Sequence, residues 1–302
     1  LDIDQSYEAG IYMSRVAVVT DSCASIPEKL RDSLDIQWVA YYIHVGQEVL
    51  RDLATVQRDE FLKWLETAKI LPTTASPGPG DYLRLYESLA KEQGFQEIVS
   101  IHITSKGSGA YQAATVAQSM AQETLPGVRI EVIDTLNVSL CQGWMAIEAA
   151  RAALAGKSLD EIVALIRKMI PITRMIQTAD TLKYLYMGGR IGKAQQLMGT
   201  LLNIKPLIGM VDGVIIPLGQ ARSRQRAYQM MAEMVEAAVG PKGKIKIAYV
   251  HAGARQEVER LKDLVEERLT VIESFFAELS PALAVHTGPG TAGLCYFPVT
   301  ED

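Results

Sequence analysis

Between Ile98 and Tyr111 an apolar, β-branched run (Ile98, Val99, Ile101, Ile103) stops at Thr104-Ser105-Lys106-Gly107-Ser108-Gly109, and helix-like sequence begins at Tyr111-Gln112-Ala113-Ala114. The pattern predicts a strand, a hydroxyl-rich glycine turn and a helix. A helix N-terminus carries unpaired N–H groups and the positive end of the dipole, so such a turn can seat an anion. It can equally be capping and loop chemistry and nothing more. Taken alone, the structural reading comes first.

Three other stretches shift that balance, because each ends in the same kind of polar group. They are Thr20-Asp21-Ser22, the segment from Pro72 to Gly80 with Thr73, Thr74 and Ser76, and His286-Thr287-Gly288-Pro289-Gly290. Val16-Ala17-Val18-Val19 ends at the first of them as a buried parallel strand would, and Ile26-Pro27-Glu28 then opens a helix. Ile36–Val45 reads as a second strand and Asp59–Thr67 as a short amphipathic helix whose Trp64 packs in the core. Leu71–Gly80 reads as a loop, Asp81–Lys91 and Gly109–Glu123 as helices, and Arg129–Asp134 as a strand. Polar residues just past strand ends, with strands and helices alternating, predict a doubly wound parallel sheet whose ligand sits beyond the strand C-termini.

The helix over Val138–Ala155 is rich in small residues, which makes Cys141 a buried packing residue rather than a nucleophile. Ser158-Leu159-Asp160-Glu161 is a capping box, and its helix runs to Met169. After Pro171 the pattern becomes mixed. Met175–Thr178 reads as a strand, and Asp212-Gly213 between two apolar runs is a strong hairpin signal. Arg222–Val239 reads as a helix with Met230, Met231, Met234 and Val235 inward. Lys244–Val250 and Ala282–His286 read as strands, Gln256–Leu269 as a helix, and Leu294–Phe297 as a last apolar segment. The chain is therefore an α/β protein of two domains, residues 14–172 with a parallel sheet and residues 173–302 with a mixed or antiparallel sheet and helices. The sequence leaves open whether Leu1–Ser14 is a native extension ahead of the first or an added segment.

With 302 residues, 48% of them apolar, two cores of ordinary size can form. The balance of 30 basic against 35 acidic residues, net −5, speaks against a nucleic-acid or anionic-membrane binder. Cys23, Cys141 and Cys295 are far apart, without C-x-x-C or metal-ligand spacing, and His44, His102 and His251 show none either. No metal, no disulfide and a reducing, cytoplasmic setting are expected. No apolar stretch reaches the roughly 20 residues of a membrane span, and the acidic start is unlike a signal peptide.

Assembled, these pieces resemble the DegV family of bacterial fatty-acid-binding proteins. The residues that carry the resemblance are Val19-Thr20-Asp21-Ser22, Pro72–Asp81, Ile103–Gln112, Leu182–Ile191, Leu202-Asn203-Ile204-Lys205-Pro206 and His286–Gly290, in family order along the chain. The resemblance implies a non-catalytic protein that buries one long-chain fatty acid, such as palmitate, between its domains and presents the carboxylate to a separate ATP-dependent fatty acid kinase subunit for acyl-phosphate formation. By motif, Thr74 and Ser108 fall on the hydroxyls that donate to the carboxylate, and Arg190 and His286 on residues of the head-group site. Ser22, Gly109 and Gly189 lie near the head group, and Arg222 matches a surface arginine tied to kinase docking. No cofactor is implied beyond the bound acid, and the chain lacks G-x-x-x-x-G-K-[ST]. Ala75, Gly107 and Ala110 depart from the family's serine, leucine and threonine, which implies a turn one hydroxyl poorer and a roomier pocket beside Gly107 and Ala110.

Two rival functions use the same residues. A hydrolase would take Ser108 as nucleophile, His286 as base and Asp21 or Asp134 as orienting acid, although Lys106 stands where a G-x-S-x-G elbow needs glycine. A phosphate-bearing small molecule would suit glycine turns at helix N-termini, with no space for a long tail. Each residue also has a plain structural role open to it. Arg190 can cap a helix end, His286 can be a satisfied strand-end histidine, Asp21 and Ser22 can cap the next helix, and Lys106 can be a solvated loop residue.

Overall fold

The computed structural model describes residues 16–200 and 204–299. Leu1–Ser14, the start of the first domain at 14, Leu202-Asn203 of the fifth motif and residues 300–302 lie outside them. The first half of the chain contains β1 (Val16–Asp21), α1 (Glu28–Ser33), β2 (Gln37–Val39), β3 (Tyr42–Val45), β4 (Glu48–Arg51), α2 (Arg58–Thr67), β5 (Thr73–Ala75), α3 (Pro79–Lys91), β6 (Glu97–His102), α4 (Ala110–Thr124), β7 (Arg129–Asp134), α5 (Leu140–Leu154) and α6 (Leu159–Met169). The second contains β8 (Arg174–Thr178), α7 (Lys183–Met187), β9 (Lys205–Val211), β10 (Val214–Ala221), α8 (Arg224–Val239), β11 (Lys244–His251), α9 (Arg255–Glu266), β12 (Thr270–Glu278), α10 (Pro281–Thr287) and β13 (Ala292–Pro298).

Four parallel strands form one sheet in the order β2-β1-β6-β7. Successive side chains of a strand point to opposite faces, so β1, buried throughout, serves two cores. Ala17 and Val19 join Tyr82, Tyr86 and Ala113, Ala114, Ala117 and Ala121 of α4, whereas Val16 and Val18 join Trp144, Ile147 and Ile162 of α5 and α6. Helices thus cover both faces, which is why the strands read as unbroken apolar runs.

The other large sheet has six strands, β10-β9-β8-β13-β11-β12, antiparallel except for β11 with β12. The β9–β10 hairpin turns at Asp212 and Gly213, both with positive φ (48° and 79°), as a two-residue turn matched to strand twist demands. Helix α5 lies between the two sheets. Its Trp144 donates Nε1–H to Cys295 O at 3.1 Å and meets Phe275 at a tilt and Phe297 edge-on, so one apolar core runs from β1 to β13. Cys141 and Cys295 are both buried in that core, and burial pushes the Cys141 thiol well up, keeping it protonated.

Four expectations are corrected. Ile36–Val45 is two strands in two sheets, because Tyr41 turns its N–H to Ser22 Oγ (3.1 Å) and the chain leaves the parallel sheet there. Thr73–Ala75 is not loop but β5, paired with β3 in a three-stranded sheet with β4. Ala282–His286 is helix α10: Ser280 Oγ accepts the Leu283 N–H, and Pro281 holds the first helical position. Trp64 is 36% exposed, resting its ring on Phe61 at the edge of α2 rather than filling the core.

Candidate functional site

Beyond the C-terminal ends of β1, β6 and β7 lies a cavity of about 600 Å³, closed on its other side by β8, β9 and α10. Thr74, Ser108, Arg190 and His286 all line it, as do Gly109 and Gly189. Each arrives by its own local logic. Thr74 is held by β5, paired opposite Ile43. Ser108 sits on a tight turn in which the Gly107 and Ser108 N–H groups both donate to Thr104 O at 3.2 Å. Thr104 Oγ1 in turn donates to Gly213 O (3.1 Å), so the β9–β10 hairpin tip rests on the Ser108 turn. A Cβ at residue 213 would lie 2.3 Å from that hydroxyl, which is why glycine stands there.

Arg190 follows Gly189, whose φ of +69° reverses the chain after α7. Its Nη1 donates to Gly188 O at 2.5 Å and its Nε to Gly107 O at 3.4 Å, joining the two halves of the rim. His286, in the last turn of α10, meets Thr74 Oγ1 through Nε2 at 2.7 Å, while its Nδ1 is buried without a partner. Burial first and the nearby Arg190 second hold its pKa down to about 4, so the ring is neutral at pH 7. Ser108 Oγ is hydrogen-bonded to the Tyr41 hydroxyl, and burial raises the Tyr41 pKa well above its ordinary value.

The remaining candidates fall elsewhere. Ser22 lies just past the C-terminal end of β1 but is buried beneath the cavity lining and is not part of it; its hydroxyl accepts the Tyr41 N–H. Arg222 is exposed between β10 and α8, away from the cavity wall. Gly107 and Ala75 line the cavity, but Ala110 is fully buried in the core, so only the Gly107 side of that turn can widen the space. Ser76 of the Pro72–Gly80 segment lines it as well, and Tyr41, Ser139 and Gln177 line it without having been singled out in the sequence. Tyr41 carried no signal beyond its place inside an apolar run.

Ser108 and His286 have separate partners, Tyr41 and Thr74, and no carboxylate orients the imidazole. Asp21 is spent on His102 (3.0 Å) and the Cys23 N–H, and Asp134 on the N–H groups of Ser105 and Leu136. What converges is a set of donors, three hydroxyls and a guanidinium, above an apolar wall that includes Ile103, Met175, Ile208, Met210 and Leu283. Among the described residues no group of three or more His, Cys, Asp or Glu is placed to hold a metal ion, and no helix is long and apolar enough to cross a membrane.

The sequence model of the DegV family matches residues 15–299 of this chain. The chain belongs to the DegV family. A DegV domain-containing protein of Caldanaerobacter subterraneus is 30% identical over 284 residues, covering 94% of this chain and 99% of the relative. Among solved structures, a DegV family protein of Thermus thermophilus, described for its fatty acid binding, superposes with a TM-score of 0.87 at 31% identity, covering 94% of this chain and 100% of the other. A stearic acid-binding protein of Eubacterium ventriosum superposes with a TM-score of 0.83 at 25% identity, covering 95% and 98%. Both superpositions show the same overall fold as this chain.

Proposed function

We propose that this protein binds one long-chain fatty acid, with the acyl tail in the cavity between residues 14–172 and 173–302 and the carboxylate at the Thr74, Ser108, Arg190 and His286 end. The observation that carries this reading is the cavity itself, in which the hydroxyls of Tyr41, Thr74 and Ser108 and the Arg190 guanidinium share one space with a largely apolar wall, within the roughly 300–1,000 Å³ range of small-molecule sites. A buried carboxylate needs several donors, and hydrogen bonds to a charged acceptor are about twice as strong as neutral ones. Burying about a dozen methylenes contributes on the order of 10 kcal/mol before ordering costs are subtracted. Fatty acid binding by the Thermus and Eubacterium relatives supports the same assignment.

The protein acts as a carrier, not a catalyst, and works in the cytoplasm. It presents the carboxylate to a separate ATP-dependent kinase, in keeping with the exposure of Arg190 and Gly109 at the head-group end; Arg222 contributes to that docking from outside the cavity. A ligand that is only a phosphate ester leaves the apolar wall uncovered, which favours the acyl reading.

Displacement of a fluorescent fatty acid tests the proposal. Palmitate should compete at stoichiometric concentration, hexadecanol more weakly and inorganic phosphate not at all. Competition by phosphate without competition by palmitate would overturn it. Kinase coupling is read separately, by hydroxylamine trapping of acyl phosphate when the loaded protein is incubated with ATP and a cell extract.

A further inference from the structure

The cavity contains a hydroxyl that the head-group site does not use. Ser139 is 1% exposed, lines the cavity, and its Oγ has no hydrogen-bond partner. It holds the N-cap position of the fifteen-residue helix α5, where a serine hydroxyl ordinarily accepts an N–H of the first turn, yet it makes no such bond. Its backbone stands at φ +58° and ψ −144°, a sparsely populated conformation for a residue with a side chain. A serine there thus forgoes capping, accepts backbone strain and buries an unpaired hydroxyl in a cavity whose lining also includes Val138 and Met175. Gln177, 3% exposed, brings a carboxamide to the same cavity, lodged over Gly293, where a Cβ would come within 2.5 Å of its Cγ.

We propose that Ser139, with Gln177, recognises a polar substituent on the acyl chain, so that the preferred ligand class is an oxygenated fatty acid such as a hydroxy fatty acid. The inference rests on the fatty-acid reading given above and adds chain chemistry to it. A plain alkyl tail passing Ser139 leaves the hydroxyl unpaired. A hydroxyl on the chain donates to or accepts from it and removes that penalty. The other orphaned hydroxyl of the cavity, Thr287 Oγ1, adjoins His286 and belongs to the head-group end.

The test is calorimetric titration of the delipidated full chain, as wild type, Ser139→Ala and Ser139→Gly, with palmitate and with hydroxypalmitates substituted from mid-chain to the terminal carbon. At least one hydroxy acid should bind wild type about five- to tenfold more tightly than it binds Ser139→Ala, while palmitate binds the two equally or favours the variant. Ser139→Gly relieves the strained backbone and should lose the same preference, which separates hydroxyl recognition from a structural role. Palmitate binding with an equal wild-type-to-variant ratio for every acid overturns this inference alone, and means that water satisfies Ser139. Failure of every acid to bind overturns the parent reading and this one together.

Discussion

Replacing Thr74 by valine keeps the side-chain shape and removes one hydroxyl, and the structure gives that change two separable consequences. The first concerns the ligand. A hydrogen bond to a charged group contributes about 1.5–3 kcal/mol, so palmitate should bind Thr74→Val roughly ten- to hundredfold more weakly, at about 1.4 kcal/mol per decade. Hexadecanol, with no charge, should lose only about fivefold for a neutral bond of about 1 kcal/mol. The second concerns the empty protein. His286 Nε2 loses its 2.7 Å partner while Nδ1 already has none, so the urea midpoint should fall by an amount equivalent to about 1–2 kcal/mol. Calorimetric titration with both ligands, alongside urea unfolding of the delipidated protein, reads the two effects. Unchanged palmitate affinity would refute the placement of Thr74 at the carboxylate. An equal loss for palmitate and hexadecanol would refute the charge-assisted bond.

Further outcomes follow from the same geometry. Gly188→Ala places a Cβ 2.3 Å from His286 Nδ1, so the imidazole must move; palmitate affinity should fall while the Thr74→Val effect shrinks, measured as a double-mutant cycle. Trp144→Ala removes the ring that joins the two sheets and should lower unfolding free energy by about 3–5 kcal/mol in urea titration, against a smaller loss of about 1–2 kcal/mol for the partly exposed Trp64→Ala. Acid should destabilise the empty protein. His286 and His251 are held down to about 4 from 6.5, chiefly by burial. Neither group contributes above pH 6.5, and below it the unfolded chain gains protons that the folded chain refuses, so stability falls between pH 6.5 and 4 by roughly 3 kcal/mol for each at 1.36 kcal/mol per unit. Asp52 runs the other way. Burial pushes it up to about 6, so its folded-state penalty is relieved as pH falls from 6 towards 3.8 and offsets part of the loss. His286→Asn should flatten the acid limb of the stability profile measured by chemical denaturation, and an unchanged limb would contradict a buried neutral His286.

Much of this architecture was legible because its signals are local. The Asp212-Gly213 turn, the Ser158–Glu161 box and the apolar run Val16–Val19 each state their structure within a few residues. Four residues far apart in sequence could be placed at one site only through a family resemblance, since spacing alone does not bring position 74 to position 286. The failures have physical causes. Ala282–Val285 is too short for its period to separate strand from helix, and the deciding information sits in Ser280-Pro281 just before it. Strand β12 is an edge strand whose apolar residues come in adjacent pairs, Val271-Ile272 and Phe275-Phe276, so its sequence lacks the period of two that marks a half-buried strand. Tyr41 and Ser139 reach the cavity from a strand break and an unused cap, positions defined by tertiary packing and not by residue type.

The central claim is that one fatty acid occupies the cavity with its carboxylate at the Thr74 and Ser108 end. Native mass spectrometry of the protein purified without added lipid, followed by denaturation and extraction, measures this most directly. One long-chain acid per chain, lost from the Thr74→Val, Ser108→Ala double variant while its fold persists, is the predicted result. A clean unliganded mass under conditions that preserve the ligands of other lipid carriers would contradict the account, as would an acid retained equally by the double variant.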